Sequence, residues 1–145
     1  LAVGGADCVP VLLADADAGV VAVAHAGRSG LVAGVVEAAV LAAHEAGARS
    51  LRAVVGPAIC GRCYEVPRSL QDEVETVHPG TASTTSWGTP ALDLPAAVVR
   101  VLAEHDVVAG RLEVCTRTDR RFFSHRRHLA TAEPPGRSAG VVRLR

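Results

Sequence analysis

Lysine is absent from this chain of 145 residues, and all 15 of its basic residues are arginine. This absence excludes enzymes that form a Schiff base on lysine, and it excludes P-loops, which need a lysine at the phosphate. Because 15 acidic residues balance the arginines, the formal net charge is zero. A neutral chain has no overall field that would draw it to nucleic acid or to an anionic membrane. We therefore expect a small-molecule partner, with no nucleic acid and no membrane.

Long hydrophobic runs are also missing, since Asp, His, Glu or Gly interrupts every apolar stretch. None approaches the roughly 20 residues that a membrane-spanning helix needs. No signal peptide is visible at Leu1, and the four cysteines lack the spacing of a disulfide framework. These features predict a cytoplasmic protein. Methionine is absent too, so we expect the natural N-terminal part to be missing from this chain.

The apolar pattern predicts strands and helices in alternation along a single domain. Residues 7–14 and 20–25 are rich in β-branched residues, and the Asp and Gly residues of 15–19 are typical of a tight turn, so a hairpin is predicted. Helices are predicted over residues 31–46, 67–77 and 92–106, further strands over 51–55, 113–116 and 140–144, and an exposed loop over 78–90. This order is typical of an α/β or α+β domain with a mixed sheet.

Cys8 and His25 stand at matching ends of the predicted hairpin. Because the start of the first strand lies beside the end of the second, the two side chains should be close together. A thiolate beside an imidazole forms either half of a zinc site or a nucleophile with its base. Both interpretations predict chemistry at this end of the sheet.

A glycine-rich loop, residues 26–30, follows His25 and leads into a predicted helix with Ser29 as its N-cap. Backbone N–H groups at such a helix start can bind an anion. The alternative is a plain turn from strand to helix.

Cys60-Gly-Arg-Cys63 lies between a predicted strand and a predicted helix, which is the setting of a thioredoxin-like redox site. A second Cys-x-x-Cys is missing, which excludes a zinc ribbon with four cysteines. The other interpretation is that this loop forms the wall of a pocket that Cys63 lines.

The segment Phe122-Phe-Ser-His-Arg-Arg127 holds both phenylalanines of the chain. It is either an aromatic anchor with solvated charges or a segment whose arginine binds phosphate, since the guanidinium group matches such oxygens. His125 and His128 are further candidates for the site. His44 and His105 are expected on helix surfaces.

Taken together, the motifs of this chain resemble the laccase-domain family, also called multicopper polyphenol oxidase or YfiH-like proteins. The blocks that carry the resemblance stand in family order over essentially the whole chain: Ala6-Asp-Cys-Val-Pro-Val-Leu-Leu13, His25-Ala-Gly, Gly56-Pro-Ala-Ile, Cys63-Tyr-Glu-Val66, Leu92-Asp-Leu94, Cys115-Thr, Phe122-Phe-Ser and Gly136-Arg.

The resemblance implies one α/β domain in which two mixed β-sheets pack face to face with helices outside. It also implies zinc-dependent chemistry on purine nucleosides: phosphorolysis of adenosine, inosine, guanosine and methylthioadenosine, and deamination of adenosine. The family holds its metal with two His and one Cys, and Cys8 and His25 match two of these. The remaining His belongs to a Gln-x-His-Gly block upstream, which this chain does not contain.

We therefore predict that Cys8 and His25 are catalytic and bind zinc, with a purine nucleoside and phosphate as partners. The predicted substrate-binding residues are Asp7, Gly27, Arg28, Cys63 and Arg126. The chain departs from the family where Trp-Arg is replaced by Arg28-Ser29, and where Tyr and Asp are replaced by His125 and His128. Three alternatives stay open: a copper-dependent polyphenol oxidase, a Cys-His hydrolase, and a non-catalytic paralogue.

Overall fold

The structure is a computed structural model that describes residues 1–144. Its strands are β1 (Ala2–Gly5), β2 (Val9–Asp15), β3 (Val20–Ala26), β4 (Arg52–Val55), β5 (Ala82–Thr84), β6 (Pro90–Leu92), β7 (Val108–Arg111) and β8 (Ser138–Val141). Its helices are α1 (Arg28–Val32), α2 (Val35–Glu45), α3 (Arg68–Val77), α4 (Leu94–Glu104) and α5 (His125–Thr131). No helix within residues 1–144 is long and apolar enough to cross a membrane.

The predicted hairpin is confirmed, with β2 and β3 antiparallel and Pro10 opposite His25. β2 also pairs with β4 in antiparallel fashion, and β4 pairs with β7 in parallel, giving a mixed sheet in the order β3-β2-β4-β7. Side chains of β2 alternate between the two faces of this sheet, as the pleat requires. Val9, Val11 and Leu13 are fully buried on one of them.

Helices and a second sheet cover the two faces of the mixed sheet. Val36 and Val40 of α2 and Val98 of α4 join the β2 residues in the main hydrophobic core. The antiparallel pair β1-β8 lies on the other face, where Gly140 packs so closely on Leu12 that an added Cβ would come within 3.2 Å of it. The expected α/β class, with several sheets and outer helices, is therefore confirmed. Within residues 1–144 only the four-stranded sheet is mixed, while β1-β8 and β5-β6 are antiparallel pairs.

Several local predictions were wrong. The helix expected over residues 31–46 is two helices, because Gly34 adopts a left-handed conformation (φ 80°) between α1 and α2. Ser29 is not an N-cap, since Gly27 occupies that position of α1 and no side chain caps it. The strand expected over residues 113–116 is also wrong, because β7 ends at Arg111 and only Cys115 forms a bridge, to Ala58.

Candidate active site

The Cys8 and His25 side chains meet where the hairpin opens, beside Gly27. A Cβ placed on Gly27 would lie 3.0 Å from the Cys8 Sγ atom and 3.8 Å from the His25 Nε2 atom. Both side chains therefore face the same small space, which exists because residue 27 has no side chain. The hairpin register explains this, since Cys8 directly precedes β2 and His25 is the penultimate residue of β3.

The imidazole of His25 is oriented by the neighbouring strand β1. Its Nδ1 atom lies 2.8 Å from the carbonyl oxygen of Gly4. Because a carbonyl oxygen can only accept, Nδ1 carries the proton and Nε2 keeps its lone pair. This backbone contact is the usual support of a metal-binding histidine, which it holds in the required tautomer.

Burial raises the pKa of the Cys8 thiol, and the negative charge of Asp7 raises it further, while Arg137 acts in the opposite direction. The sulfur is therefore a protonated thiol at neutral pH unless a cation displaces its proton. A cysteine that acts as a nucleophile needs the opposite environment, one that lowers its pKa. The surroundings of Cys8 fit a metal ligand better than a free nucleophile.

Asp7 connects Cys8 to the far end of the chain. It is buried and adopts a left-handed conformation (φ 82°), which is unfavourable for a residue with a side chain. Its carboxylate accepts hydrogen bonds from the Thr116 hydroxyl (2.7 Å) and from the Arg126 backbone N–H (2.8 Å). Both carboxylate oxygens are thus occupied by the protein, and the backbone strain is held in place by contacts more than 100 residues away in sequence.

A cavity of about 720 Å³ opens above these residues. This volume is within the range of small-molecule sites. The walls combine apolar and cationic side chains. The lining residues are Gly5, Ala6, Asp7, Cys8, His25, Ile59, Tyr64, Leu94, Ser124, His125, Arg126, His128, Pro135, Gly136 and Arg137. Because the Asp7 carboxylate is already hydrogen-bonded to the protein, the groups left to face a ligand are mainly cationic or neutral.

Arg126 lies in this cavity wall, as the phosphate-binding interpretation of its segment requires. Its guanidinium group stacks over the Tyr64 ring, 4.9 Å from the centroid, and donates to the Glu65 carbonyl oxygen. Burial raises the pKa of the Tyr64 phenol, although the charges of Arg126 and Arg28 lower it in part. Arg28, which was predicted to bind substrate, is not among the residues that line the cavity but lies close enough to the Tyr64 phenol to lower its pKa. Arg127, by contrast, is held by Glu133 and by backbone carbonyls away from the cavity.

Helix α5 places two histidines at the cavity. Ser124 caps this helix by accepting from the Arg127 N–H, and His125 and His128 follow on its first turns. The Nδ1 atom of His128 donates its proton to the Glu133 carbonyl oxygen, so Nε2 is the ring nitrogen left for a ligand.

Arg137 was not predicted as a site residue, although it lies in the last family block. It lines the cavity and, among residues 1–144, its guanidinium group has no hydrogen bond or ion pair. The neighbouring Gly136 packs directly against Phe123, whose ring would have to move to make room for an added Cβ. The pair Gly136-Arg137 was the sequence signal that could have identified this residue.

Cys63 does not line the cavity. It is buried beside Cys60 and Cys115, and the three Sγ atoms lie within 4.8 Å of one another, a spacing in which a metal ion could be held. Burial, then the neighbouring thiols, raises the pKa of Cys63 to about 12. Burial alone would raise the pKa of Cys115 as well, but the N–H groups of Cys60, Arg117 and Thr118 lower it overall.

Comparison with known proteins matches residues 1–145 to the family described as "Multi-copper polyphenol oxidoreductase laccase". The chain belongs to this family. A laccase-domain relative from Streptomyces coelicolor, named purine nucleoside phosphorylase, is 54% identical over 149 residues, covering 99% of this chain and 59% of that protein. A protein of the same name from Mycobacterium tuberculosis is 46% identical over 145 residues, covering 98% and 56%.

Two solved structures share the fold of this chain. YfiH of Bacillus licheniformis superposes with a TM-score of 0.80 at 30% identity, covering 95% of this chain and 55% of YfiH. YlmD of Geobacillus stearothermophilus gives a TM-score of 0.75 at 33% identity, covering 95% and 54%. The chain thus spans somewhat more than half the length of the relatives that it matches.

Proposed function

We propose that this laccase-domain chain forms the site of a zinc-dependent purine nucleoside phosphorylase. The observation that carries the proposal is the cavity, because a Cys-His pair and two arginines line it together. The names of the relatives support it, since proteins up to 54% identical are named purine nucleoside phosphorylase.

The residues present fit part of a zinc site. A soft thiolate and a neutral imidazole are ligands that zinc prefers, and both face the space kept open by Gly27. Cys8 and His25 would hold the ion, together with the upstream histidine that the family resemblance implies. When bound, zinc supplies a Lewis acid at the wall of the cavity.

Phosphate binding is assigned to the arginines. Arg137 is the stronger candidate, because its guanidinium group is not used by any other residue of the described chain. Arg126 offers its remaining N–H groups from a fixed position, since Tyr64 and the Glu65 carbonyl hold it in place. Two guanidinium groups match the oxygens of a phosphate dianion and offset its charge.

The nucleoside would lie against the apolar part of the cavity. Ile59 and Leu94 are nearly fully buried and line it, and Tyr64 adds an aromatic edge. Such a surface suits a flat purine base, whereas the arginines and histidines suit the ribose and phosphate.

In phosphorolysis, a phosphate oxygen forms a bond to the anomeric carbon of the ribose while the bond from that carbon to the purine nitrogen breaks. The electron pair of that bond stays on the purine, which must take up a proton. We assign this proton to His128 in its imidazolium form: the Nδ1–H stays on the Glu133 carbonyl oxygen, and the Nε2–H would pass to the purine nitrogen, which leaves a neutral imidazole. His125, which lines the same cavity, is the second candidate. The products are ribose 1-phosphate and the free base. Deamination of adenosine, in which water replaces the amino group, is proposed as a second reaction of this cavity.

The alternatives fit the described residues less well. A multicopper oxidase needs several clustered histidines, whereas the one group of three close ligand atoms within residues 1–144 consists of cysteines. A Cys-His hydrolase needs a thiolate, but burial and Asp7 keep the pKa of Cys8 high.

The test uses the full natural polypeptide, purified with zinc and assayed on adenosine, inosine, guanosine and methylthioadenosine with and without phosphate. We expect base release that depends on phosphate, and ammonia release from adenosine without it. In the R137A variant the KM for phosphate should rise at least about 10-fold, because a charge-assisted hydrogen bond is lost. The matched control R52A removes an exposed arginine of β4 and should leave the KM for phosphate unchanged. No turnover of any nucleoside by the zinc-loaded protein would refute the proposal and favour a non-catalytic paralogue.

A further inference from the structure

Three of the four cysteines lie together at a place that the proposed reaction does not use. The Sγ atoms of Cys60, Cys63 and Cys115 are all within 4.8 Å of one another. Cys60 and Cys115 line a separate cavity of about 120 Å³, which shares no lining residue with the large one. We propose that these three cysteines form a second, thiolate metal site that binds Zn²⁺.

The spacing of the sulfur atoms agrees with a zinc site. With zinc–sulfur bonds of about 2.3 Å, the sulfurs of a tetrahedral site lie about 3.8 Å apart. The three cysteines therefore need to close by no more than about 1 Å per pair. A disulfide needs sulfurs about 2.0 Å apart and would use only two of the three.

The backbone around the cluster favours a bound thiolate. The Cys60 N–H points at the Cys115 Sγ atom, 3.4 Å away. N–H groups directed at sulfur stabilise its negative charge, and hydrogen bonds of this kind support ligands in metal centres. The Cys60-x-x-Cys63 spacing, with both residues on one turn, is also the spacing of zinc-binding cysteine pairs.

Two arginines lie near the cluster. Arg117 donates to the Cys63 carbonyl oxygen at 2.9 Å, and Arg111 lines the small cavity. Arg111 is partly engaged by Glu113 and Asp93, with ion-pair distances of 3.4 and 3.9 Å. The fourth zinc ligand would come from this cavity, which opens beside Cys60 and Cys115.

A metal at this place would join two segments that are hydrogen-bonded to Asp7 in the cavity wall. Cys115 and Ala58 form a parallel bridge, and the next residue, Thr116, donates to both the Ala58 carbonyl and the Asp7 carboxylate. Ile59, which neighbours Cys60, donates to the Asp7 carbonyl. The second site would therefore stabilise the surroundings of Asp7 without touching substrate.

The test uses the full natural polypeptide carrying C8S, which removes the thiol of the first site. It is reduced, freed of metal, and alkylated with and without Zn²⁺, and the modified cysteines are identified by peptide mass spectrometry. We expect Zn²⁺ to protect Cys60, Cys63 and Cys115 together. Equal alkylation with and without Zn²⁺ would overturn the proposal. A disulfide among these cysteines in the purified protein, seen before reduction as a protein mass lower by two hydrogens, would also overturn it.

Cobalt spectroscopy gives an independent measurement. Co²⁺ added to the C8S protein should produce a sulfur-to-metal absorption band. In the double variant C8S/C60S, the intensity of this band per bound ion should be lower by about a third, because one of three thiolates is lost. Cys60 is half-buried, and replacing its thiol by a hydroxyl keeps the size, so the variant should fold. An unchanged band in C8S/C60S would contradict the proposal. Since no step depends on nucleoside turnover, this result is independent of the proposed function.

Discussion

A buried aspartate lies at each end of strand β2, with Asp15 as its last residue and Asp7 two residues before its start, but the two carboxylates have different surroundings. At the distal end, Asp15 accepts four backbone N–H groups, from Asp17, Ala18, Arg49 and Ser50. At the cavity end, Asp7 has two partners, Thr116 and Arg126, and a left-handed backbone. The distal end uses backbone donors alone and closes a turn. The cavity end is strained, depends on distant residues, and places Cys8 beside His25.

This difference separates a structural carboxylate from a positioning one. The backbone N–H of Ser50, with those of Ala18 and Arg49, lowers the pKa of Asp15 to about 2, so this carboxylate is charged at any ordinary pH. Asp7 instead connects the turn before Cys8 to helix α5, which carries the histidines of the cavity wall. Changes at Asp15 should therefore affect folding alone, whereas changes at Asp7 should affect folding and catalysis.

The largest effect is expected from H25A at the cavity end. Removing this proposed metal ligand should reduce the proposed phosphorolysis at least about 100-fold, because loss of a supporting residue alone costs 10–100-fold. The measurement is kcat/KM for inosine, together with the zinc content of the purified protein. The control H105A changes a histidine at the end of α4, away from the cavity. Equal zinc content and equal activity in H25A and H105A would contradict the proposal that His25 binds zinc.

D7N is expected to lower both stability and activity. The amide keeps an oxygen for the Arg126 N–H and can donate to the Thr116 hydroxyl, so both hydrogen bonds remain but lose the carboxylate charge, at a cost of about 1 kcal/mol in the free energy of unfolding. We expect kcat to fall about 10-fold with a smaller change in KM, since the groups that act on substrate are displaced rather than removed. Urea unfolding and steady-state kinetics on the same preparation check both effects. A loss of stability with full activity would show that Asp7 is structural, like Asp15.

G27A tests the space between Cys8 and His25. The added methyl group would lie 3.0 Å from the Cys8 sulfur, so the side chains must move apart. We expect the zinc affinity to fall about 10-fold with little change in stability, because the ligand geometry is what changes. G110A is the matched control, since nothing lies within 4 Å of the added atom there. The prediction fails if competition with a chelating dye gives the same affinity for both variants.

D15N should produce the smallest effect on catalysis and a clear effect on the acid stability. The folded pKa of Asp15, about 2, is below its unfolded value of 3.8, so its contribution is present above pH 4 and is lost as pH falls toward 2. The free energy of unfolding should therefore fall less steeply with decreasing pH in D15N than in the wild type over this window. Parallel curves from urea titrations between pH 5 and 2 would contradict the role of Asp15.

Local patterns explain why one half of the site could be predicted from sequence. The hairpin follows from alternating apolar residues and a short turn, and its register alone brings Cys8 beside His25. The other half depends on contacts between distant residues, such as Thr116 with Asp7, 109 positions apart. The local periodicity of apolar residues carries no information on such a contact, so the structural role of Asp7 was missed.

Contacts between distant residues also explain two other errors, whereas a third has a local cause. Arg137 reaches the cavity because β8 pairs with β1 at the opposite end of the chain. Cys115 joins Cys60 across 55 positions, so the cysteine pair was interpreted without its third member. The predicted helix over residues 31–46 failed at Gly34, where a left-handed residue breaks a continuous helical pattern.

The most direct measurement of the proposed reaction is phosphorus NMR of the zinc-loaded full polypeptide with inosine and inorganic phosphate. We predict that the phosphate signal decreases while a ribose 1-phosphate signal grows, in amounts equal to the hypoxanthine released, and that H25A shows neither change. Release of hypoxanthine with free ribose and an unchanged phosphate signal would contradict phosphorolysis at this cavity.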